Sequence, residues 1–179
     1  ARGDVSTFRV LTRNTGMLSD VVLQTPDGRI TYDGSARIDG VPGTSAPIRI
    51  SFLDTAGSVC GMLLPTGRVV DTFDGVPVTC IDNGMPVVVI RAADLGRTGY
   101  ESRDALNADT GLKARLESIR RQAGTAMNLG DVAKKVVPKV SLIAPPRAGG
   151  SLCSRTFIPH DCHSAVGVLG AVTLATAAV

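Results

Sequence analysis

The first hundred residues carry short apolar stretches, broken at close intervals by turn residues. Thr7 to Thr12 and Met17 to Thr25 are rich in β-branched side chains, and Pro26-Asp27-Gly28 marks a turn before Arg29 to Tyr32. From Pro47 to Leu53 apolar and polar positions alternate, which puts Ile48, Ile50 and Phe52 on one face of a half-buried strand. Val69 to Phe73, Val76 to Ile81 and Val87 to Arg91 continue the series, with Gly75 and Asn83-Gly84 at the turns. The pattern predicts a meandering, mostly antiparallel sheet.

The period then changes. Leu112, Leu116, Ile119, Ala123 and Met127 recur at helical spacing, while Lys113, Arg115, Glu117, Arg120 and Arg121 take the other face. A surface helix is expected, capped by Asp109 or Thr110. Val140 to Ala144 reads as a strand and Pro145 to Gly150 as a loop. Ser154 to Ile158 is a further strand leading into a final helix from about Ser164 to Val179. That helix is apolar on nearly every face, so something must surround it, and Val168, Leu169, Val172 and Leu174 are expected to be buried. The fold class that follows is α+β: a curled sheet wrapped around a central apolar helix. No Gly, Lys or Arg finishes the helix, and the opposite end opens directly into strand-like sequence. Both ends look cut, and 1–179 reads as a single lobe of a longer protein.

Composition narrows the function classes. Apolar residues make up 44% of the chain and aromatics only 3%, so the core is built from Val, Ile, Leu and Ala rather than rings. The net charge of +3 comes from scattered basic residues, with Arg120-Arg121 and Lys134-Lys135 the only adjacent pairs. No nucleic-acid surface is expected from that pattern, whereas a substrate carrying several carboxylates suits it. Cys60, Cys80, Cys153 and Cys162 include no C-x-x-C pair, which favours reduced thiols and a cytoplasmic location. The apolar run Ala165 to Val179 is shorter than the roughly 20 residues a bilayer-spanning helix needs, so no membrane is expected.

Four segments then carry a resemblance. Ile38-Asp39-Gly40-Val41-Pro42-Gly43-Thr44-Ser45-Ala46-Pro47-Ile48 is similar to a signature of the family containing 4-oxalomesaconate tautomerases and methylaconitate isomerases, in the diaminopimelate-epimerase-like superfamily. Leu63-Leu64-Pro65-Thr66-Gly67 and Ile81-Asp82-Asn83-Gly84-Met85-Pro86-Val87 follow in the same order. Phe157-Ile158-Pro159-His160, with Cys162-His163 and Val166-Gly167-Val168, completes the set. The Asn-Gly-Met-Pro and Phe-Ile-Pro-His stretches resemble the tautomerase branch in particular. The resemblance implies two similar lobes, each a curled sheet round a helix, with the substrate in the cleft between them. It also implies a catalytic lysine and a catalytic cysteine on the other lobe, in Thr-Ser-Lys and Cys-Gly-Asn segments that this sequence lacks. The chain would then be the second lobe, inactive alone, with the missing N-terminal lobe as its partner; self-association is left open.

The implied reaction is a cofactor-independent tautomerisation of an unsaturated tricarboxylate, 4-oxalomesaconate first and methylaconitate or aconitate second, within aromatic-compound degradation. A non-catalytic binding domain of the same fold is the alternative of another class. Such proton transfer needs a base, an acid and donors that stabilise a dienolate, with no metal or organic cofactor. The expected donor array is the start of the last helix at Cys162-His163-Ser164-Ala165, where first-turn amides meet an anion. His163 is the candidate catalytic group, against the plainer reading that it caps the helix. Asn83, Met85, Pro86, Arg155, His160, Ser164 and Thr66 are the candidate substrate contacts. For Asn83 and Met85-Pro86 ordinary hairpin chemistry stands beside that reading, and for Arg155 an exposed ion pair. His160, Cys153 and Cys162 lack zinc-site spacing, and the adjacent Cys162 and His163 are poorly placed as a nucleophilic pair. A low-pKa Cys162 thiol at the helix start is also weighed.

Overall fold

The computed structural model describes residues 4–13, 16–37, 42–147 and 149–179, so the Ile38 to Val41 part of the first motif, including the start of its Pro-Gly turn, lies outside the described residues. By contacts the chain divides into two compact units, Ala1–Thr55 and Ala56–Val179.

The first unit is a three-stranded antiparallel sheet of β1 (Val5–Thr12), β2 (Met17–Gln24) and β3 (Arg49–Phe52), in that order. Its register places Phe8 opposite Val21 and Val21 opposite Ile50, and Arg9 opposite Asp20, where the guanidinium makes two bonds of 2.8 and 2.9 Å to the carboxylate. Pro26–Gly28 forms a 3-10 turn, but Arg29 to Tyr32 does not form the expected strand. The half-buried face expected of β3 is also corrected: Ile48 and Ile50 are exposed and only Phe52 is partly covered. Among its described residues this unit has no helix longer than the 3-10 turn, so no helical layer of its own covers the sheet.

The second unit has a five-stranded sheet in sequence order: β4 (Asp71–Phe73), β5 (Val76–Asp82), β6 (Pro86–Arg91), β7 (Lys139–Ala144) and β8 (Cys153–Phe157). All neighbours are antiparallel except β6 and β7, which run parallel with Val88 opposite Val140. A parallel pair needs a crossover. Here it contains α1 (Arg103–Ala108), begun by a Ser102 cap that sequence reasoning missed, and α2 (Thr110–Ala126), capped by Asp109, whose carboxylate accepts from Leu112 N–H at 2.9 Å. The expected apolar stripe of α2 is buried in full, from Leu112 through Met127, against Val78, Cys80, Val88, Ile90, Val140 and Leu142.

Arg120 breaks the expected pattern. Helical spacing puts it on the solvent face of α2, yet it is fully buried, because the segment after the helix folds back over it. Its guanidinium donates to both Glu117 carboxylate oxygens and to the carbonyls of Val132, Lys135 and Val137. All five N–H groups of the side chain therefore have acceptors.

The opposite sheet face, with Ile81, Val87 and Val89, packs on α3 (Val168–Ala177) through Leu174. Two expectations for this helix change. It begins at Val168 rather than near Ser164, since residues 158–163 turn back on β8: Ile158 N–H bonds Asp161 O, and His163 N–H bonds Thr156 O at 2.8 Å. That pairing holds Cys162 and His163 extended and excludes them from the helix. Of the four residues expected to be buried, Leu174 is, Leu169 and Val172 are half-buried, and Val168 is 65% exposed. Among the described residues no helix is long and apolar enough to cross a membrane.

Candidate functional site

Within the second unit, a cavity of about 390 Å³ opens beside edge strand β8. Its walls are Arg103 at the start of α1, Ser154, Arg155 and Thr156 on β8, and the segment His163 to Val166. Three of the sequence-predicted site residues meet here: Arg155, His163 and Ser164. Among the described residues no carboxylate lines it.

Both arginines are held by backbone rather than by acids. Arg155 Nε donates to Glu101 O at 3.1 Å and Nη1 to Ser154 O at 3.0 Å, while Arg103 Nε donates to Cys162 O at 3.1 Å. Among the described residues neither guanidinium has a carboxylate within 4 Å. The exposed-ion-pair alternative for Arg155 is thereby removed. Two fixed cations sharing one cavity suit an anion with more than one carboxylate, because each guanidinium keeps donors of its planar fork for it.

His163 Nδ1 lies 2.8 Å from Ala165 O. A carbonyl only accepts, so Nδ1 carries the proton and Nε2 is the basic nitrogen of the neutral ring. The imidazole is exposed on the cavity side with its tautomer set by backbone. The expected array of first-turn amides at 162–165 is corrected along with the helix start: α3 is capped by Gly167, with no side-chain cap bond.

The remaining predicted residues are placed elsewhere in the unit. Asn83 Nδ2 donates to Thr176 Oγ1 at 2.8 Å, Met85 sits half-buried against α3, and Pro86 is buried at the head of β6. Thr66 Oγ1 donates to buried Asp71 at 2.7 Å, beside Arg68, which also binds that carboxylate. His160 Nδ1 stands 3.5 Å from Glu117 Oε2. None of these five lines the cavity.

Cys60, Cys80 and Cys162 are buried thiols. Cys162 is buried and its pKa is raised by that burial, with Arg155 and Arg103 pulling the other way, so the low-pKa reading is corrected. Its thiol points to His163 O at 3.7 Å, not to the ring. Cys60 is pushed up to about 12 by burial and then by the Asp82 carboxylate, and Cys80 to about 12 by burial and then by Asp71. Among the described residues no three His, Cys, Asp or Glu side chains converge as a metal centre requires. Sequence reasoning missed Arg103, whose short helix has no periodicity to reveal it. It also missed Thr173, whose polarity inside an apolar helix was a usable signal.

Comparison with known proteins agrees with this architecture. The model of the family described as PrpF protein matches residues 1–179. The chain is 57% identical over 177 residues to the (4E)-oxalomesaconate Delta-isomerase of Novosphingobium sp. (strain KA1), covering 99% of this chain and 50% of that protein. It is 52% identical over 177 residues to the 4-oxalomesaconate tautomerase of Pseudomonas putida, covering 99% of this chain and 49% of that one. The crystal structure of methylitaconate-delta-isomerase superposes with a TM-score of 0.89 at 28% identity, over 99% of this chain and 52% of that chain. The chain thus spans about half the length of the curated relatives it matches. With a family match along its whole length and this structural likeness, the chain belongs to the PrpF protein family, with the diaminopimelate-epimerase-like α+β fold.

Proposed function

We propose that the full-length protein is a cofactor-independent isomerase that shifts a proton on an unsaturated tricarboxylate, with 4-oxalomesaconate as the first substrate to test. The observation that carries this reading is the cavity in which two guanidiniums held by backbone carbonyls face a histidine of fixed tautomer. Two relatives above half identity are named for oxalomesaconate, which points the choice of substrate the same way.

In this mechanism Arg155 and Arg103 hold substrate carboxylates and keep the conjugated system in one plane. A base takes a proton from carbon, the electron pair spreads into a dienolate, and the proton returns to carbon at the far end of the allylic unit or to the enol oxygen. His163 Nε2 serves as one proton carrier, and the guanidiniums offset the charge that grows on the dienolate. The lysine and cysteine segments implied by the family resemblance belong to the part of the protein outside this chain, so the chain alone is expected to be inactive. The four free cysteines favour a reducing compartment, the cytoplasm, where the resemblance implies a role in aromatic-compound degradation.

The test is turnover by the full-length protein, followed in D₂O so that proton transfer to and from carbon is read directly. Isomerisation of 4-oxalomesaconate with solvent deuterium entering the product supports the reading. Turnover of 2-methylaconitate alone would move the assignment to that substrate, and inertness toward both would contradict it.

A further inference from the structure

We propose that Thr173 and Thr176 are positioning residues for the cavity: they lock α3 to the Asn83–Met85 turn, and that lock sets where His163 to Val166 stand. The inference rests on the functional reading above for its kinetic readout, but its geometry is independent of the substrate.

Across Val168–Ala177 every residue is Gly or apolar except these two threonines, three apart and so on one helix face. Threonine is a modest helix former, and a hydroxyl in an apolar layer is costly unless it is bonded. Both are bonded to the same turn. Thr173 is fully buried; its Oγ1 lies 3.1 Å from Asn83 O and 3.0 Å from Met85 O, sharing its O–H between them, and accepts from Asn83 N–H at 3.3 Å. Thr176 Oγ1 accepts from Asn83 Nδ2 at 2.8 Å and donates to Val172 O. Apolar packing alone would let a helix of small residues slide or rotate on the sheet. Directional bonds to three backbone groups do not.

The cavity segment is held between this helix and β8. His163 N–H is tied to Thr156 O, the imidazole is tied to Ala165 O, and Gly167 then caps α3. Val166 lines the cavity and also a neighbouring groove beside Leu174 and Ala171. A shift of α3 therefore moves Ala165, and with it the acceptor that fixes the His163 ring. Asn83, expected from sequence to touch substrate, acts here one step back.

The experiment uses the full-length protein labelled with ¹⁵N-histidine, with His163→Ala to assign the His163 ring signals. Thr173→Val removes the bonding hydroxyl and Thr173→Ser keeps it. At a temperature where each variant is folded by circular dichroism, Thr173→Val is expected to perturb the His163 Nδ1–H signals. It should also lower kcat about tenfold or more, with Thr173→Ser restoring both to within about threefold. A wild-type His163 spectrum together with wild-type kcat and KM in Thr173→Val, even at a lower Tm, would overturn the proposal and leave Thr173 a packing contact. Should Thr173→Val fail to fold, the half-buried Thr176→Val is read by the same two measurements: perturbed His163 signals with a lower kcat support the lock, and wild-type values of both overturn it. If the wild type turns over no substrate, the functional reading fails, while the His163 spectrum still decides this inference.

Discussion

Arg120 shows how a single residue can escape pattern reading. A charged side chain opposite an apolar stripe is expected in water, and Arg115 and Arg121 are exposed there, while Lys113 is half-buried and paired with Asp161 at 2.8 Å. Arg120 differs because the chain after α2 returns across it and presents three carbonyls to its guanidinium. Only a planar fork with five donors satisfies that arrangement. Arg120→Ala should therefore cost about 3–5 kcal/mol, since it strands those carbonyls and the Glu117 carboxylate together. Denaturant melts are the check, and a loss below about 1 kcal/mol would mean the clamp is redundant. The site residues divide in the same way. His163 came from a motif and from an expected helix start, Ser164 from that helix start alone, and Arg155 as the cation closest to the histidine motif; the three share one cavity although the helix begins later. Asn83, Met85, Pro86, Thr66 and His160 share the motifs but not the cavity, because a motif records which residues recur together and not which way each side chain faces.

At the scale of elements, α2 was the most legible, since its buried face, length and cap all follow from one period and one carboxylate. Asp109 is held below the usual carboxylate range, first by the Leu112 amide and then by Arg97. A lowered folded-state pKa stabilises above the unfolded value of about 3.9 and ceases to do so as pH falls through the folded one. Asp109→Ala should thus lower Tm at pH 7, and the gap to wild type should close as the pH drops below about 4; a gap independent of pH would contradict the charged-cap account. Gly124 makes a second test in the same helix. An interior Gly→Ala change ordinarily stabilises a helix by about 1 kcal/mol. Here a Cβ would stand 2.6 Å from a methyl of buried Val132, so Gly124→Ala should destabilise instead. An increase in Tm would show that Val132 can give way. The start of α3 is illegible in the sequence for a different reason: apolar composition marks a helix, but the backbone pairing of Cys162 and His163 with β8 that delays it is a tertiary event.

For the whole molecule, the sequence conveyed the α+β class, the mostly antiparallel strand pairing and the family, because those are written in turn spacing and in four motifs that extend along the chain. By contacts the chain divides at Thr55, in the stretch between the expected strands ending at Leu53 and starting at Val69, and periodicity alone does not mark that division. The chain spans about half the length of the curated relatives it matches, and the function proposed above assigns this cavity a share in the chemistry of the full-length protein. The central claim is that this contribution includes a proton carrier, His163, in an anion-holding cavity. The measurement that tests it most directly is steady-state isomerisation of 4-oxalomesaconate in D₂O by the full-length protein and by its His163→Ala variant, both verified as folded. The account predicts that kcat/KM falls roughly 10²-fold or more, with deuterium incorporation slowed in step. Wild-type kinetics and wild-type deuterium incorporation in the variant would contradict it.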